Sequence, residues 1–335
     1  MAIDRRKFSL GAIAVLTAAC AKVPKGNARA HGDFWSQFRE RFITPSGRVI
    51  DNGNGNISHS EGQGYGMLLA ALHDDRATFD ALAAWTQQTL GREDMALHAW
   101  KYDPREPNPV PDRNNASDGD ILIAWALSLG GRKWKMRGHV ERSAQVRRAI
   151  RQKLVVERAG QQFLLPGLQG FVEASRIVVN PSYVVWPALD HFRKVDGDGP
   201  WATLIDDSAR FLASARFGAF SLPTDWVDVS DNGNLAPARD KPARFGFDAV
   251  RVPLYAMAGH RRALAEPALS WWQSHAGGGQ AVPAWIDVNS GELAPYGLSQ
   301  GGMAVVAAGL GRATPAELST DYYAAVLQLL VASIL

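Results

Sequence analysis

Apolar residues along this chain recur at helical spacing, and they predict helices of two kinds. The segment from Asp118 to Leu129 is apolar on every side, a pattern that a helix shows only when protein surrounds it. Ser117 is its predicted N-cap, and Gly130-Gly131 predicts its end. The segment from Arg142 to Val156 instead places arginines between apolar positions, as an outer helix with one solvated face does. Buried and amphipathic helices are therefore expected to alternate.

The same periodicity predicts helices in much of the remaining chain. These segments are 77–90, 183–192, 201–213, 249–265 and 319–335. The best candidate for a strand is Arg176 to Asn180. The connections between the helices are rich in Gly, Asn and Pro, at 51–56, 103–116, 218–243 and 276–282.

Neither a fixed repeat nor a break in composition divides the chain, so a single domain is expected. About 300 residues of alternating buried and amphipathic helices fit one all-α toroid of about six helical hairpins, at roughly 50 residues each. Minor short strands are expected only in the loops. We therefore assign residues 31–335 to this domain and consider residues 1–30 separately.

The composition is that of a globular protein without a nucleic-acid partner. The chain has 335 residues, of which 46% are hydrophobic, and its 11 tryptophans supply a large core. The net charge of +3 comes from the first 30 residues, which contain six basic residues and one acidic residue. The rest of the chain has 30 basic and 32 acidic residues. It contains no basic run of the kind that binds phosphate, which argues against nucleic acid as a partner.

Residues 1–30 have the three parts of an export signal. Arg5-Arg6-Lys7 is basic, Leu10 to Ala19 is apolar, and Ala28-Arg29-Ala30 supplies small residues. The paired arginines resemble a twin-arginine signal, with an ordinary secretory signal as the alternative. The apolar stretch is too short for a stable membrane span, which needs about 20 residues. We expect cleavage after Ala30 and a periplasmic or secreted protein.

Cys20 offers a second outcome for this segment. Thr17-Ala18-Ala19-Cys20 resembles an imperfect lipobox, so lipid attachment at Cys20 competes with cleavage after Ala30. After that cleavage the mature chain would contain no cysteine, because Cys20 is the only one. It would then need no disulfide in an oxidising compartment.

Glu61 lies in the most informative segment, Ser60-Glu61-Gly62-Gln63-Gly64-Tyr65-Gly66-Met67. An apolar helical stretch, residues 67–72, follows directly. Each glycine costs a helix roughly 0.5–1 kcal/mol relative to alanine. We therefore expect the three glycines to let a bulky ligand approach Glu61 closely.

Two further carboxylates accompany Glu61. Asp118 lies in Ala116-Ser117-Asp118-Gly119-Asp120, and Asp248 lies three residues before Arg251. If Glu61 and Asp118 both begin inner helices, their carboxylates lie at the same mouth of the toroid, where placed carboxylates suggest acid/base chemistry on a sugar. Taken alone, Asp118 could be an acid favoured by the helix dipole, and Asp248 with Arg251 could be a surface ion pair.

Together with Asn180-Pro181-Ser182-Tyr183, these motifs resemble glycoside hydrolase family 8 in order and spacing. The resemblance runs from about Phe34 to the C-terminus. It implies an (α/α)6 barrel that cleaves β-1,4-glycosidic bonds with inversion, without a metal or cofactor. One departure is Phe247, which stands where many members have a tyrosine. A hydrogen bond from that tyrosine to water or substrate cannot be assumed here.

The resemblance also implies roles for five residues. Glu61 would be the general acid and Asp248 the general base, while Asp118 would bind the distorted sugar in the −1 subsite. Tyr183 matches a tyrosine near the nucleophilic water. Arg251 would keep Asp248 charged, because the base must be ionised at a pH where the acid is protonated.

Five aromatic residues are candidates for binding the sugar chain. They are Tyr65, Trp100, Tyr102, Trp226 and Tyr296. The last four lie in segments flanked by Pro or Gly, where their rings could stack on sugar faces, with a place in the core as the alternative. His59, two residues before Glu61, could orient that carboxylate, with a purely structural role as the alternative.

Other motifs do not support a different chemistry. Gly297-Leu298-Ser299-Gln300-Gly301 matches the G-x-S-x-G elbow of serine hydrolases, but the residues before it do not predict the buried strand that the elbow needs. Gly277-Gly278-Gly279 is not followed by the Lys and Ser or Thr of a phosphate loop. His31, His98 and His275 have no ligand spacing, so no zinc site is expected.

The resulting hypothesis is an inverting endo-β-1,4-glucanase. Within the family the chain resembles most the periplasmic enzymes of bacterial cellulose synthesis operons, which implies β-1,4-glucan chains as substrate and the cellulose synthase complex as a candidate partner. A chitosanase or xylanase of the same family stays open, as does a glucan-binding assembly factor of the synthase. We expect a monomer with an open groove across the mouth of the barrel.

Overall fold

The computed structural model describes residues 28–276 and 281–335, and within these ranges eleven α-helices form the body of the molecule. In chain order they are α1 (Ala28–Phe42), α2 (Ser60–Leu72), α3 (Arg76–Thr89), α4 (Ser117–Lys133), α5 (Arg137–Lys153), α6 (Trp186–Asp196), α7 (Asp198–Ser214), α8 (Arg251–Ala258), α9 (Arg262–Ala276), α10 (Gln300–Gly309) and α11 (Tyr322–Ile334). A short 3-10 helix covers Pro181–Tyr183.

Six of these helices form a closed inner ring. Helices α2, α4, α6, α8, α10 and α11 each pack against the next, and α11 packs back against α2. The other five helices alternate with them along the chain and lie outside the ring. The buried and amphipathic segments predicted from the sequence correspond to these two layers, as α4 and α5 show. The predicted barrel is therefore confirmed, although its last two inner helices are joined by residues 310–321 without a helix between them.

In the part of the chain that the structure describes, nine short strands lie in the loops and form four small sheets. In β1–β2, Ser58–His59 pairs antiparallel with Lys101–Tyr102. The predicted strand at 176–180 is confirmed as the first member of a three-stranded sheet. The remaining strands are β3 (Val155–Arg158), β4 (Gln161–Leu164), β5 (Arg176–Val179), β6 (Val227–Ser230), β7 (Leu235–Pro237), β8 (Arg244–Phe245) and β9 (Ile286–Asp287).

Two local expectations were wrong, and one helix was not predicted. The predicted helix at 249–265 is two helices, because His260 has a left-handed backbone with φ of 58° and the chain turns there. The N-cap of α4 is Ala116, and the Ser117 hydroxyl has no hydrogen-bond partner among the described residues. Helix α10 was not predicted, and the serine of the G-x-S-x-G match is its N-cap, since Ser299 Oγ accepts from the Gly302 backbone N–H at 3.2 Å.

The glycines beside Glu61 face protein rather than ligand, which corrects the expectation from the sequence. A Cβ atom on Gly64 would lie 2.5 Å from Leu122 Cβ in α4, and one on Gly62 would lie 2.6 Å from the Tyr322 hydroxyl. A Cβ atom on Gly119 would lie 2.7 Å from the backbone nitrogen of Glu61. Glycine at these positions therefore lets α2 approach its neighbours closely.

Within the described part of the chain, no helix combines the length and apolarity needed to cross a membrane. The same residues contain no group of three or more His, Cys, Asp or Glu side chains arranged to hold a metal ion. The paired arginines, the apolar stretch and Cys20 of the predicted export signal lie outside the described residues, as do residues 277–280.

Candidate active site

The N-terminal ends of the inner helices surround a cavity of about 300 Å³. Glu61 is in the first turn of α2, Asp118 is in the first turn of α4, and Asp248 lies just before α8. The structure thus confirms that the carboxylates share one mouth of the barrel. The other lining residues are Asp51, Asn54, His59, Ser60, Trp100, Ala116, Tyr183, Phe247, Arg251 and Tyr323.

Arg251 contacts all three carboxylates. Its Nη1 donates to Glu61 Oε1, while its Nη2 donates at 2.8 Å to Asp248 Oδ1 and at 2.8 Å to Ser182 Oγ. Asp118 Oδ2 lies 3.9 Å from the same Nη2. The Arg251 side chain is only 4% exposed. Because a guanidinium is planar and always charged, it fixes the separation of two carboxylates bound to its different nitrogens.

Tyr65 supports Glu61 from inside the barrel. Its hydroxyl donates to Glu61 Oε1 at 3.1 Å and lies 2.7 Å from the Tyr255 hydroxyl. Tyr65 is only 1% exposed, so the expectation that it binds sugar was wrong. Its four-residue spacing from Glu61 places both side chains on one face of α2, where the tyrosine can orient the carboxylate.

His59 caps the helix that carries Glu61. Its Nδ1 accepts from the Gly62 backbone N–H at 3.0 Å, so the proton of the neutral ring lies on Nε2, 3.3 Å from Asp51 Oδ2. The same Nδ1 is 3.7 Å from Glu61 Oε2. His59 therefore fixes the start of α2, which is the structural role, and its Nδ1 borders the acid without donating a hydrogen bond to it.

Burial works against charge at Asp248 and Asp118. It raises the pKa of Asp248, and the Arg251 guanidinium acts in the opposite direction without overcoming it. The expectation that Arg251 keeps Asp248 charged did not include this opposing effect of burial. The pKa of Asp118 lies well above its usual range because of burial and the nearby Glu61 carboxylate. Asn180 Nδ2 donates to Asp248 Oδ2 at 3.1 Å and supports the ionised base.

Two of the predicted aromatic residues lie at or beside the cavity. Trp100 lines it, half-buried, and its Nε1 donates to Asp112 Oδ2 at 2.7 Å. Trp226 meets the Tyr183 ring edge-on at 6.2 Å and stacks parallel to Phe171 at 5.9 Å. These contacts place both tryptophans where they can border a bound chain.

The other two predicted aromatic residues do not line this cavity. Tyr102 packs edge-on against Trp85 at 5.3 Å, and it pairs with Ser58 between β1 and β2. Tyr296 is 53% exposed, and its hydroxyl accepts from Trp285 Nε1 at 3.3 Å.

Sequence reasoning missed Tyr323 and Asp225. Tyr323 lines the cavity, its ring lies 5.9 Å from the Arg251 guanidinium, and its hydroxyl donates to the Phe247 carbonyl at 2.8 Å. Asp225 binds the backbone of the segment that carries Asp248. Neither had a signal in the sequence, because only the closed ring brings α11 and the loop before β6 to this site. Phe247 itself is 55% exposed at the cavity.

Comparisons with known proteins identify the family of this chain. The chain matches a family model described as glycosyl hydrolases family 8 over residues 3–334. The endoglucanase of Cellulomonas uda is 38% identical over 292 residues, which cover 87% of this chain and 80% of that relative.

Two solved structures have the same fold. A family 8 endo-β-1,4-glucanase from an Achatina fulica gut metagenomic library has a TM-score of 0.86 at 37% identity and covers 95% of this chain and 98% of its own. The endo-β-1,4-glucanase of Acetobacter xylinum has a TM-score of 0.85 at 35% identity, with coverages of 91% and 97%. Because the family model spans almost the whole chain, this protein belongs to glycoside hydrolase family 8.

Proposed function

We propose that this protein is an inverting endo-β-1,4-glucanase that cleaves internal bonds of cellulose chains. The observation that carries the proposal is the shared guanidinium of Arg251, which holds Glu61 and Asp248 apart at one open cavity. Two carboxyl groups that flank a sugar are the machinery of glycoside hydrolysis. The names of the related endoglucanases point to the same substrate class.

In this mechanism Glu61 donates a proton to the departing glycosidic oxygen. Asp248 accepts a proton from the water that attacks the anomeric carbon from the opposite face, and Asp118 binds the distorted sugar between them. The Glu61 carboxyl group is held in place by hydrogen bonds to its Oε1 from Arg251 and from the Tyr65 hydroxyl. Tyr183 borders the water side of the cavity.

Membership of family 8 supports inversion rather than retention. Inverting enzymes separate the two carboxyl groups by roughly 6.5–9.5 Å, whereas retaining enzymes separate them by about 5–5.5 Å. Glu61 and Asp248 contact different nitrogens of one guanidinium, so the cation lies between them. An inverting reaction needs the wider separation, because a water molecule must fit beside Asp248.

The experiment that tests the function compares release of reducing ends from carboxymethylcellulose, xylan and chitosan. We expect carboxymethylcellulose to be the best substrate, and we expect Glu61→Gln to lower its turnover by at least about 10²-fold while cellohexaose still binds. Glu141→Gln, on the outer helix α5, is the matched control and should keep full activity. Faster cleavage of xylan or chitosan would show that cellulose is not the preferred substrate. An active Glu61→Gln enzyme would contradict the role of Glu61 as the general acid.

We also propose that the enzyme is exported to the periplasm, where it acts as a monomer on glucan beside the cellulose synthase complex. The support is the leader pattern of residues 1–30 and the site's fit to a glucan chain. Mass spectrometry of the periplasmic protein tests the export route. A mature chain that begins at His31 agrees with cleavage after Ala30, whereas a lipid on Cys20 would contradict it.

A further inference from the structure

One carboxylate oxygen accepts hydrogen bonds from three backbone N–H groups of the segment that carries Asp248. Asp225 Oδ1 accepts from the backbone N–H of Gly246 at 3.2 Å, of Asp248 at 3.1 Å and of Ala249 at 2.7 Å. The donors lie more than twenty residues further along the chain. Asp225 thus ties the loop before β6 to the backbone on both sides of the general base.

The segment that is tied has little regular structure of its own. Residues 247–250 form turns between β8 and α8, and Asp248 is three residues outside the helix that carries Arg251. A backbone shift there would move the Asp248 carboxylate directly, since the side chain has only one carbon between its carboxylate and the backbone. Rate losses of about 10²-fold accompany misplacements of about 1 Å in an active site.

Asp225 makes these hydrogen bonds although its surroundings disfavour a charged carboxylate. Burial and the nearby Asp248 carboxylate raise the pKa of Asp225 to about 7, although the three backbone N–H groups favour its charged form. Space is also reserved for it, because a Cβ atom on Gly246 would lie 2.8 Å from Asp225 Oδ2. Buried polar groups of this kind persist where the surrounding structure needs them.

We propose that Asp225 is a positioning residue for the reaction: it holds the backbone of residues 246–249 so that the Asp248 carboxylate faces the attacking water. The inference rests on the proposed function, in which Asp248 is the general base. Asp225 also precedes Trp226, whose ring meets Tyr183. The loop that carries Trp226, a candidate for stacking on sugar, therefore also positions the general base.

The test measures kcat and KM on carboxymethylcellulose for Asp225→Ala and Asp225→Asn. Asp225→Ala should lower kcat by about 10²-fold and change KM by less than about threefold, because Trp100 and Asp118 are untouched. Asp225→Asn should recover most of kcat, since the amide oxygen can still accept from the three N–H groups.

Asp75→Ala is the matched control. Asp75 also binds a backbone N–H, that of Thr78 at 3.1 Å, but it caps α3 at the other end of the inner helix α2. This variant should lose thermal stability and keep its kcat. A kcat loss in Asp75→Ala equal to that in Asp225→Ala would contradict the inference, because both losses would then reflect stability alone.

Wild-type kcat in Asp225→Ala overturns the inference, and so does an Asp225→Asn enzyme as slow as the alanine variant. If Asp225→Ala does not fold, Gly246→Ala is the deciding variant. Its Cβ atom would force the two segments apart and should lower kcat in the same way. An unchanged kcat in Gly246→Ala overturns the inference.

A wild-type enzyme inactive on carboxymethylcellulose would contradict the proposed function itself, whereas an active wild type with unaffected variants contradicts only the role of Asp225.

Discussion

Arg251 is the residue on which the geometry of the site depends most. From the sequence it was a partner of Asp248, because an i, i+3 pair is visible in the chain. Its bond to Glu61 was not predictable, since 190 residues separate the two. Asp225 and Tyr323 were missed for the same reason. Local spacing thus predicted the carboxylates, while the groups that hold them became evident only once the ring was closed.

Replacement of Arg251 by lysine should lower kcat by at least about 10²-fold. An ammonium is a point charge and cannot hold Glu61 and Asp248 on separate nitrogens in a fixed plane. Steady-state kinetics on carboxymethylcellulose measures the effect. Arg261→Lys is the control, since Arg261 binds Asp190 through two nitrogens at the far end of α8. Equal kcat values in the two variants would contradict the role given to Arg251.

The raised pKa of Asp225 predicts how stability depends on pH. An unfolded aspartate titrates near 3.9, whereas the folded chain holds this proton up to about 7. Between about pH 4 and pH 7 the folded state therefore binds more protons at Asp225 than the unfolded state, so its contribution to stability falls as pH rises. Between about pH 4 and pH 7, the slope of the unfolding free energy against pH, measured by urea unfolding, should be more positive in Asp225→Asn than in wild type. Identical slopes would contradict the raised pKa.

The packing of helix α2 against helix α4 determines where the carboxylates at their N-terminal ends lie. The sequence predicted that both begin beside a carboxylate, because acidic residues favour helix N-termini. It did not predict how closely the two helices pack, since a glycine in the sequence does not indicate which atoms will lie opposite it in the fold. Gly64 and Gly119 each face the other helix, and this contact brings Glu61 and Asp118 to the same cavity.

Substitution of Gly119 by alanine should therefore damage both stability and activity. The new Cβ atom would lie 2.7 Å from the Glu61 backbone nitrogen, and such overpacking costs about 1–3 kcal/mol. Glu61 would also move relative to Asp118, so kcat should fall. Gly138→Ala in α5 is the control, because nothing lies within 4 Å of its Cβ position; it should be neutral or stabilising. A Gly119→Ala enzyme with wild-type melting temperature and kcat would contradict the close contact.

At the scale of the whole molecule, the alternation of buried and amphipathic segments was enough to predict the two-layered barrel. Periodicity did not separate α8 from α9, because apolar residues recur on both sides of His260, whose left-handed turn divides the two helices. It also missed α10, whose Gly- and Ala-rich sequence has little helical contrast. These helices complete the ring, and the ring brings Tyr323 of the last helix to the cavity formed by the first ones.

The central claim is that water attacks from the Asp248 side while Glu61 protonates the leaving oxygen from the other side. The most direct test is proton NMR of the first products released from a β-1,4-linked cello-oligosaccharide, recorded before mutarotation mixes the anomers. The account predicts that the α-anomer forms first, because a single displacement inverts the anomeric carbon. Initial formation of the β-anomer would contradict it, since retention requires a covalent intermediate on a closer carboxylate.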